Sequence, residues 1–399
     1  MSIILNNLKT NIYSAFLVIT IFLPFFYAKS VPFLILLLLI FWIFKFNSFA
    51  NLHLKFKMIW PFMFYGFTFL IVYFLGNNSQ DGLKILERQS SFILLPFLII
   101  FKDWSKSELL SFGKYYVNVV LLISISSLIL LFYFYITHID FVRTMDETYL
   151  QWKLPHLMGF HPTYFGLAIV IANMMLLTSI EKKKNIFRVS SFYIVIFLTF
   201  YLIYLSPRTS IICQLLVWFW FICSRIFTKN TKKLSKISVL TISIFIIGIL
   251  LYTSTYVINK FFNSFSDRRF LLWDPAFEII RKNYFIFGEG LGGGMIKINN
   301  FISENNLNQF EVPDLHNQYL MNYLDLGILG LIIILIILFI PIIYSKSKEL
   351  ILFTIVFSIS MLTESFLYVI KGIIFFITIS CFFNLKNSFK SEEIKNYNS

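Results

Sequence analysis

Residues 317–344 read NQYLMNYLDLGILGLIIILIILFIPIIY, a stretch whose only charged residue is Asp325. A surface helix of this length keeps a polar face, whereas a bilayer span needs about 20 mostly apolar residues. The stretch therefore reads as a transmembrane helix. Comparable runs recur near 12–28, 31–45, 57–75, 84–101, 113–137, 161–179, 188–205, 210–227, 236–256, 349–366 and 368–385. The expectation is an all-α integral membrane protein of about twelve transmembrane helices. Composition agrees, with 58% hydrophobic, 20% aromatic and 14% charged residues and a mean hydropathy of +0.77, against roughly 25% charged in a soluble domain. Residues 1–399 are read as a single polytopic membrane domain. The 31–45 run is short and the 84–101 run contains Glu87 and Arg88, so either can be tilted or interfacial.

A formal net charge of +14 raises nucleic-acid binding, but the basic residues lie in short segments between apolar runs and form no aromatic-interleaved face, so no nucleic-acid partner is expected. They alternate along the chain. Lys55 and Lys57, Lys102 and Lys106, Lys182 to Lys184 with Arg188, the lysines of 229–236, Lys346 and Lys348, and the C-terminal lysines fall on one side. Only Lys29, Lys84, Arg143, Lys153 and Arg208 mark the short loops of the other. That bias puts both termini in the cytoplasm, facing anionic lipid. Two longer polar segments, 138–160 and 257–316, then lie outside, and 257–316 is large enough to hold short helices. Cys213, Cys223 and Cys381 sit in apolar runs without metal-ligand or disulfide spacing and read as packing residues. The first apolar run has no small-residue cleavage site and further spans follow it, so no cleavable signal peptide is expected.

Function is sought on the outer side, where His138, His156, His161 and His316 all fall, His53 alone lying inside. His316 opens the sequence Asp314-Leu315-His316-Asn317-Gln318-Tyr319-Leu320. A neutral imidazole there can take a proton from a hydroxyl; the plainer role is a helix-start residue bonded to backbone. Arg208 sits in Ser206-Pro207-Arg208-Thr209-Ser210, a tight outer turn in which Pro207 stops one helix and Thr209 or Ser210 can cap the next. Its guanidinium fork suits phosphate, the alternative being a snorkelling side chain. Arg268 and Arg269 precede Trp273, and Phe270, Trp273, Phe277 and Ile280 recur at helical spacing over 268–282, which predicts an amphipathic helix on the bundle or a surface anchor. Gly288, Gly290, Gly292, Gly293 and Gly294 either admit an anion to backbone amides or make a flexible turn; no strand and no Gly-Lys-Ser/Thr accompanies them, so they are not a nucleotide loop. His161-Pro162-Thr163-Tyr164 opens a span five residues after His156, but a third ligand at metal spacing is missing and no metal is expected. Glu364 with Lys371, and Glu87 with Arg88, are charges in apolar surroundings and read as structural ion pairs or site lining.

These segments together resemble the O-antigen ligase / O-antigen polymerase superfamily of bacterial envelope glycan assembly. The motifs follow in order: His161-Pro162-Thr163-Tyr164; Ser-x-Arg-Thr-Ser at 206–210; Arg269-x-x-x-Trp273 leading to Phe287-Gly288-x-Gly290; and His316-Asn317-Gln318-Tyr319-Leu320 followed by Asp325-x-Gly327-x-x-Gly330. The resemblance covers about residues 160–335. It implies a glycosyltransferase of the bacterial inner membrane with its active site facing the periplasm, using an undecaprenyl-diphosphate-linked glycan as donor and no cofactor or metal. Segment 257–316 becomes the periplasmic loop. In that scheme Arg208 and Arg269 hold the diphosphate and His316 activates the acceptor hydroxyl, with Arg268, His161, Tyr164, Asn317 and Trp273 binding substrate. Pro207 departs from the small residue that commonly precedes the arginine.

The acceptor is a lipid or a glycan. A ligase transfers the finished glycan to an acceptor such as lipid A-core, and a polymerase transfers it to another lipid-linked repeat. Arg281 and Gly292 show the ten-residue gap described for polymerase loops, but no second copy accompanies it, and the reading leans to ligase. A polysaccharide transporter or flippase without catalysis is the reading from another class; it calls for mid-membrane charges and internal repeats, and neither is clear.

Overall fold

The computed structural model describes residues 2–45, 52–76, 81–138, 159–181, 191–226, 268–283, 286, 288–304, 314–345 and 347–398, and helix is the only regular secondary structure among them. The expected span at 236–256 lies outside the described residues. Five described helices are long and apolar enough to cross a membrane: Leu52–Leu75, Lys106–Thr137, Pro162–Ile180, Ile328–Ser345 and Ile370–Phe389. Shorter apolar helices cover Ile12–Phe26, Ala28–Ile43, Ser191–Leu205 and Arg208–Ser224. Large apolar side chains such as Leu122, Ile129, Phe132 and Ile136 point outward, as lipid-facing residues do and as soluble monomers avoid.

Three expected spans are broken. The run 317–344 is a short helix, Gln318–Leu326, and a longer one, Ile328–Ser345. Gly327 separates them with φ 67 and ψ −152, a conformation essentially reserved for glycine. The turn is tight, since a Cβ on Gly330 would lie 2.2 Å from the Asn322 carbonyl oxygen. The run 84–101 is likewise two helices, Gly82–Gln89 and Ser91–Ile100. The first is amphipathic, with Lys84, Glu87 and Arg88 exposed and Ile85 and Gln89 buried, which is why a hydropathy window cannot resolve it. The run 349–366 ends its helix at Met361 and passes into a 3-10 turn at Phe366–Tyr368.

The chain forms two compact units, residues 1–109 with 265–399, and residues 110–264. In the first, the buried rings of Phe62, Phe92, Phe353 and Phe357 surround Phe376, with centroids 6.0, 6.4, 6.0 and 4.7 Å away. Between apolar helices in lipid such close packing, rather than water exclusion, supplies the attraction. Lys102 is also buried here; its Nζ lies 2.8 Å from Glu108 Oε1 and over the rings of Trp104 and Tyr13. In the second unit, polar groups link the helices: Tyr116 donates to the Ala168 carbonyl at 3.0 Å, and Asn173 Nδ2 to Gln214 Oε1 at 2.9 Å.

Candidate functional site

His316 occupies the entrance to the short helix Gln318–Leu326. Its φ of 47 places a non-glycine residue in the left-handed region, which costs on the order of 1–3 kcal/mol and is held by surroundings. Asp314 provides that hold: its Oδ1 accepts the His316 backbone N–H at 2.6 Å, an Asx-type turn. Asn317 then caps the helix, its side-chain oxygen accepting from Tyr319 N and Leu320 N. The side chain placed by sequence among substrate-binding groups is thus engaged in a cap and buried.

The imidazole lies against two carboxylates. Nδ1 of His316 lies 3.2 Å from Oε2 of Glu364 and 3.4 Å from Oδ1 of Asp314. Glu364 is only 3% exposed, so its charge must be matched locally. The sequence pairs Glu364 with Lys371; in the structure Glu364 interacts electrostatically with Lys371 and also bonds His316. What fixes Glu364 is the turn that follows it. Leu367 N donates to Gln318 Oε1 at 2.6 Å, Gln89 Nε2 donates to the Leu367 carbonyl at 2.6 Å, and Arg88 Nη1 donates to the Tyr368 carbonyl at 3.2 Å. Arg88 is therefore bonded to backbone, where an ion pair with Glu87 was expected.

Gln318, Asn322 and Asp325 form a buried polar stripe along the short helix at spacings of four and three. Gln318 Nε2 donates to Asn322 Oδ1 at 2.7 Å, and Asn322 Nδ2 donates to Tyr65 Oη and to the Gly330 carbonyl, both at 3.3 Å. The Asp325 carboxylate accepts from Gly292 N at 3.0 Å, Gly294 N at 3.2 Å and Tyr368 Oη at 2.9 Å. The glycine-rich loop thus does admit an anion to its amides, and the anion is a side chain of the protein itself. Gly290 and Gly292 adopt φ of 81 and 75, as such a loop requires.

The helix Arg268–Asn283 buries Leu272, Ala276 and Ile279, whereas Phe277 is exposed. The buried face is thus rotated from the aromatic stripe read in the sequence. Trp273 Nε1 donates to the Leu315 carbonyl at 3.0 Å, one residue before His316, so Trp273 braces the histidine. Arg268 and Arg269 begin this helix; their side chains lie outside what is described, as do Phe270, Phe287 and His156.

The second unit holds the other pair of motifs. Ser206, with φ 51, ends the helix Ser191–Leu205, and Ile211 N donates to the Pro207 carbonyl at 3.0 Å. Arg208 is therefore the first helical residue and Thr209 and Ser210 lie inside the helix, not at its cap as expected. A cation is disfavoured at a helix N-terminus, where amides favour anions, so helix stability does not explain Arg208. The turn rests on the helix Pro162–Glu181: Ser210 Oγ donates to the Thr163 carbonyl at 3.4 Å, and a Cβ on Gly166 would lie 2.6 Å from Pro207 Cγ. The two motifs, distant in sequence, are one packed element. Tyr164 is buried there, and His161 is exposed with its ring edge-on to that of Tyr164 at 5.6 Å.

Residues 192–335 match the family model for O-antigen ligase. The match supports the O-antigen ligase superfamily for this chain and with it a glycan transferase of the ligase or polymerase type. The matched stretch takes in the Arg208 turn, the start of the Arg268–Asn283 helix, the glycine loop, His316 and Asp325. It leaves out His161, Glu364 and Tyr368, two of which the structure joins directly to matched residues. No curated protein matches the chain. Among the described residues, no three His, Cys, Asp or Glu side chains gather as a metal site. Glu364 was missed as a partner of His316, and its signal was a carboxylate in apolar surroundings, a rare and purposeful placement.

Proposed function

We propose that the protein is an O-antigen-ligase-like glycosyltransferase of the bacterial inner membrane, moving a glycan from undecaprenyl diphosphate to an acceptor hydroxyl on the periplasmic face. The observation that carries the reading is the carboxylate-bound imidazole of His316 inside the matched family segment. With Nδ1–H donated to Glu364, Nε2 is the basic nitrogen. It removes the hydroxyl proton as the acceptor oxygen attacks the anomeric carbon. The bond from that carbon to the diphosphate oxygen breaks, and polyprenyl diphosphate leaves with the electron pair. The carboxylate of Glu364 stabilises the imidazolium so formed.

A leaving diphosphate needs fixed cations. Arg208 and Arg269 take this role by the family resemblance, with Arg268, His161 and Tyr164 binding substrate. Arg208 is supported by its seat on a rigid turn at a helix N-terminus, where backbone amides add to the guanidinium. Asn317 and Trp273 serve by holding His316 in place. The orientation rests on the alternation of basic segments, which sets both termini inside and 257–316 outside.

A strain lacking the protein tests the class of reaction. Long polyprenyl-linked chains should accumulate if it is a ligase. Accumulated single lipid-linked repeats would make it a polymerase, and loss of neither step would remove glycan transfer from its function.

A further inference from the structure

The helix Arg268–Asn283 and the stretch 288–304 are fastened to opposite ends of the short helix Gln318–Leu326. At the end next to His316 the fastening is the Trp273 Nε1 bond to the Leu315 carbonyl. At the other end it is Asp325. There Glu289 N and Gly290 N donate to the Leu324 and Asp325 carbonyls at 2.8 and 3.1 Å, filling acceptors that a helix terminus otherwise leaves without partners. The carboxylate then receives Gly292 N and Gly294 N. The loop lies directly on the helix end, since a Cβ on Gly288 would come within 2.3 Å of the Asp325 carbonyl carbon and one on Gly294 within 2.9 Å of Asp325 Oδ1.

Three N–H or O–H donors converge on this one side chain, and an ionised carboxylate is the acceptor-only group that can receive them all. An amide of the same shape offers one oxygen and turns an NH2 towards donors. We infer that Asp325 is a positioning residue, the clasp that fixes where the helices Arg268–Asn283 and Gly293–Glu304 sit along the short helix leading from His316. It touches no substrate. It acts through the helix Gly293–Glu304, on which the arginine-bearing helix Arg268–Asn283 packs, and so keeps that helix in register with the histidine, both of which belong to one compact unit. Its effect on rate rests on the catalytic reading of His316 and Arg269, while the clasp itself does not.

Two variants approach the contact from opposite sides. Asp325→Asn removes acceptor capacity, and Gly294→Ala wedges a methyl group against Leu324 and Asp325. Hydrogen exchange of the purified full-length protein in detergent should speed up about tenfold over residues 288–304 in each, because a local opening becomes easier. Glycan transfer should fall roughly 100-fold, the scale of a small misplacement of reacting groups, with a rise in the donor concentration giving half-maximal rate. Loss of folded protein would lower the rate and leave that concentration unchanged, and this result in both variants would overturn the proposal. So would unchanged exchange at 288–304, or faster exchange with wild-type transfer. Normal transfer by His316→Ala would sink the catalytic reading instead, and the exchange result would still decide the clasp.

Discussion

Nδ1 of His316 faces Oε2 of Glu364 at 3.2 Å, across 48 residues of sequence. The pair joins the residue before a capped short helix to a carboxylate just ahead of a 3-10 turn that is itself bonded to Gln318 and Gln89. A carboxylate in this position selects the imidazole tautomer and steadies the cation formed on proton uptake. Replacing Glu364 by Gln keeps the shape and removes the charge. Transfer should fall about 100-fold, within the range of a lost acid–base contribution, while Glu364→Gln in a His316→Ala background should cost nothing further. Separate, additive losses in a double-mutant rate comparison would show that the two do not act as a unit.

Arg208 separates charge from geometry. Lysine keeps the positive charge but loses the planar fork. On a turn fixed by Ser206, Pro207 and Gly166 the lysine has little freedom to re-aim, so Arg208→Lys should lose nearly as much transfer as Arg208→Ala, on the order of 100- to 1000-fold. Near-normal rates for the lysine variant, measured with lipid-linked donor, would reduce the role of Arg208 to simple charge.

The break at Gly327 makes a stability prediction. Alanine at φ 67 and ψ −152 is strained and should destabilise the protein by about 1–3 kcal/mol. Gly330→Ala should also destabilise, through its collision with the Asn322 carbonyl. Thermal unfolding in detergent reads both, and a Gly327→Ala melt equal to wild type would mean that 317–344 is a continuous helix after all.

The buried Lys102–Glu108 pair takes no part in the proposed transfer and gives a contrast. Glu108→Gln leaves a buried ammonium without its charge partner and should cost about 3–5 kcal/mol, whereas Lys102→Met with Glu108→Met should recover most of it. Transfer per folded molecule should be unchanged in the double variant. Equal melts for the single and double variants would show that the pair's desolvation is not what Glu108→Gln exposes.

Helical class was legible because apolar runs of span length dominate the chain, and the Arg208 turn because proline and small polar residues punctuate it. The break at Gly327 was not, since hydropathy averages over Leu326 to Leu331 and does not sense one residue's φ. The partner of His316 was hidden for a different reason: Glu364 follows 48 residues later, and no local pattern links them. For the glycine loop the sequence leaves an anion-receiving role and a flexible turn both open, and nothing in it says that Asp325 supplies the anion. On the Arg268–Asn283 helix Leu272, Ala276 and Ile279 are buried and Phe277 is exposed, a choice of face that the aromatic spacing alone does not make.

The most direct test is transfer of an undecaprenyl-diphosphate-linked glycan to acceptor by the purified protein in detergent, comparing wild type with His316→Ala, each with and without EDTA. Wild-type transfer should persist in chelator, since arginines carry the diphosphate charge, and His316→Ala should reduce transfer at least about 100-fold with expression and donor binding retained. Wild-type rates from His316→Ala, or activity lost in EDTA and restored by a divalent ion, would contradict the mechanism.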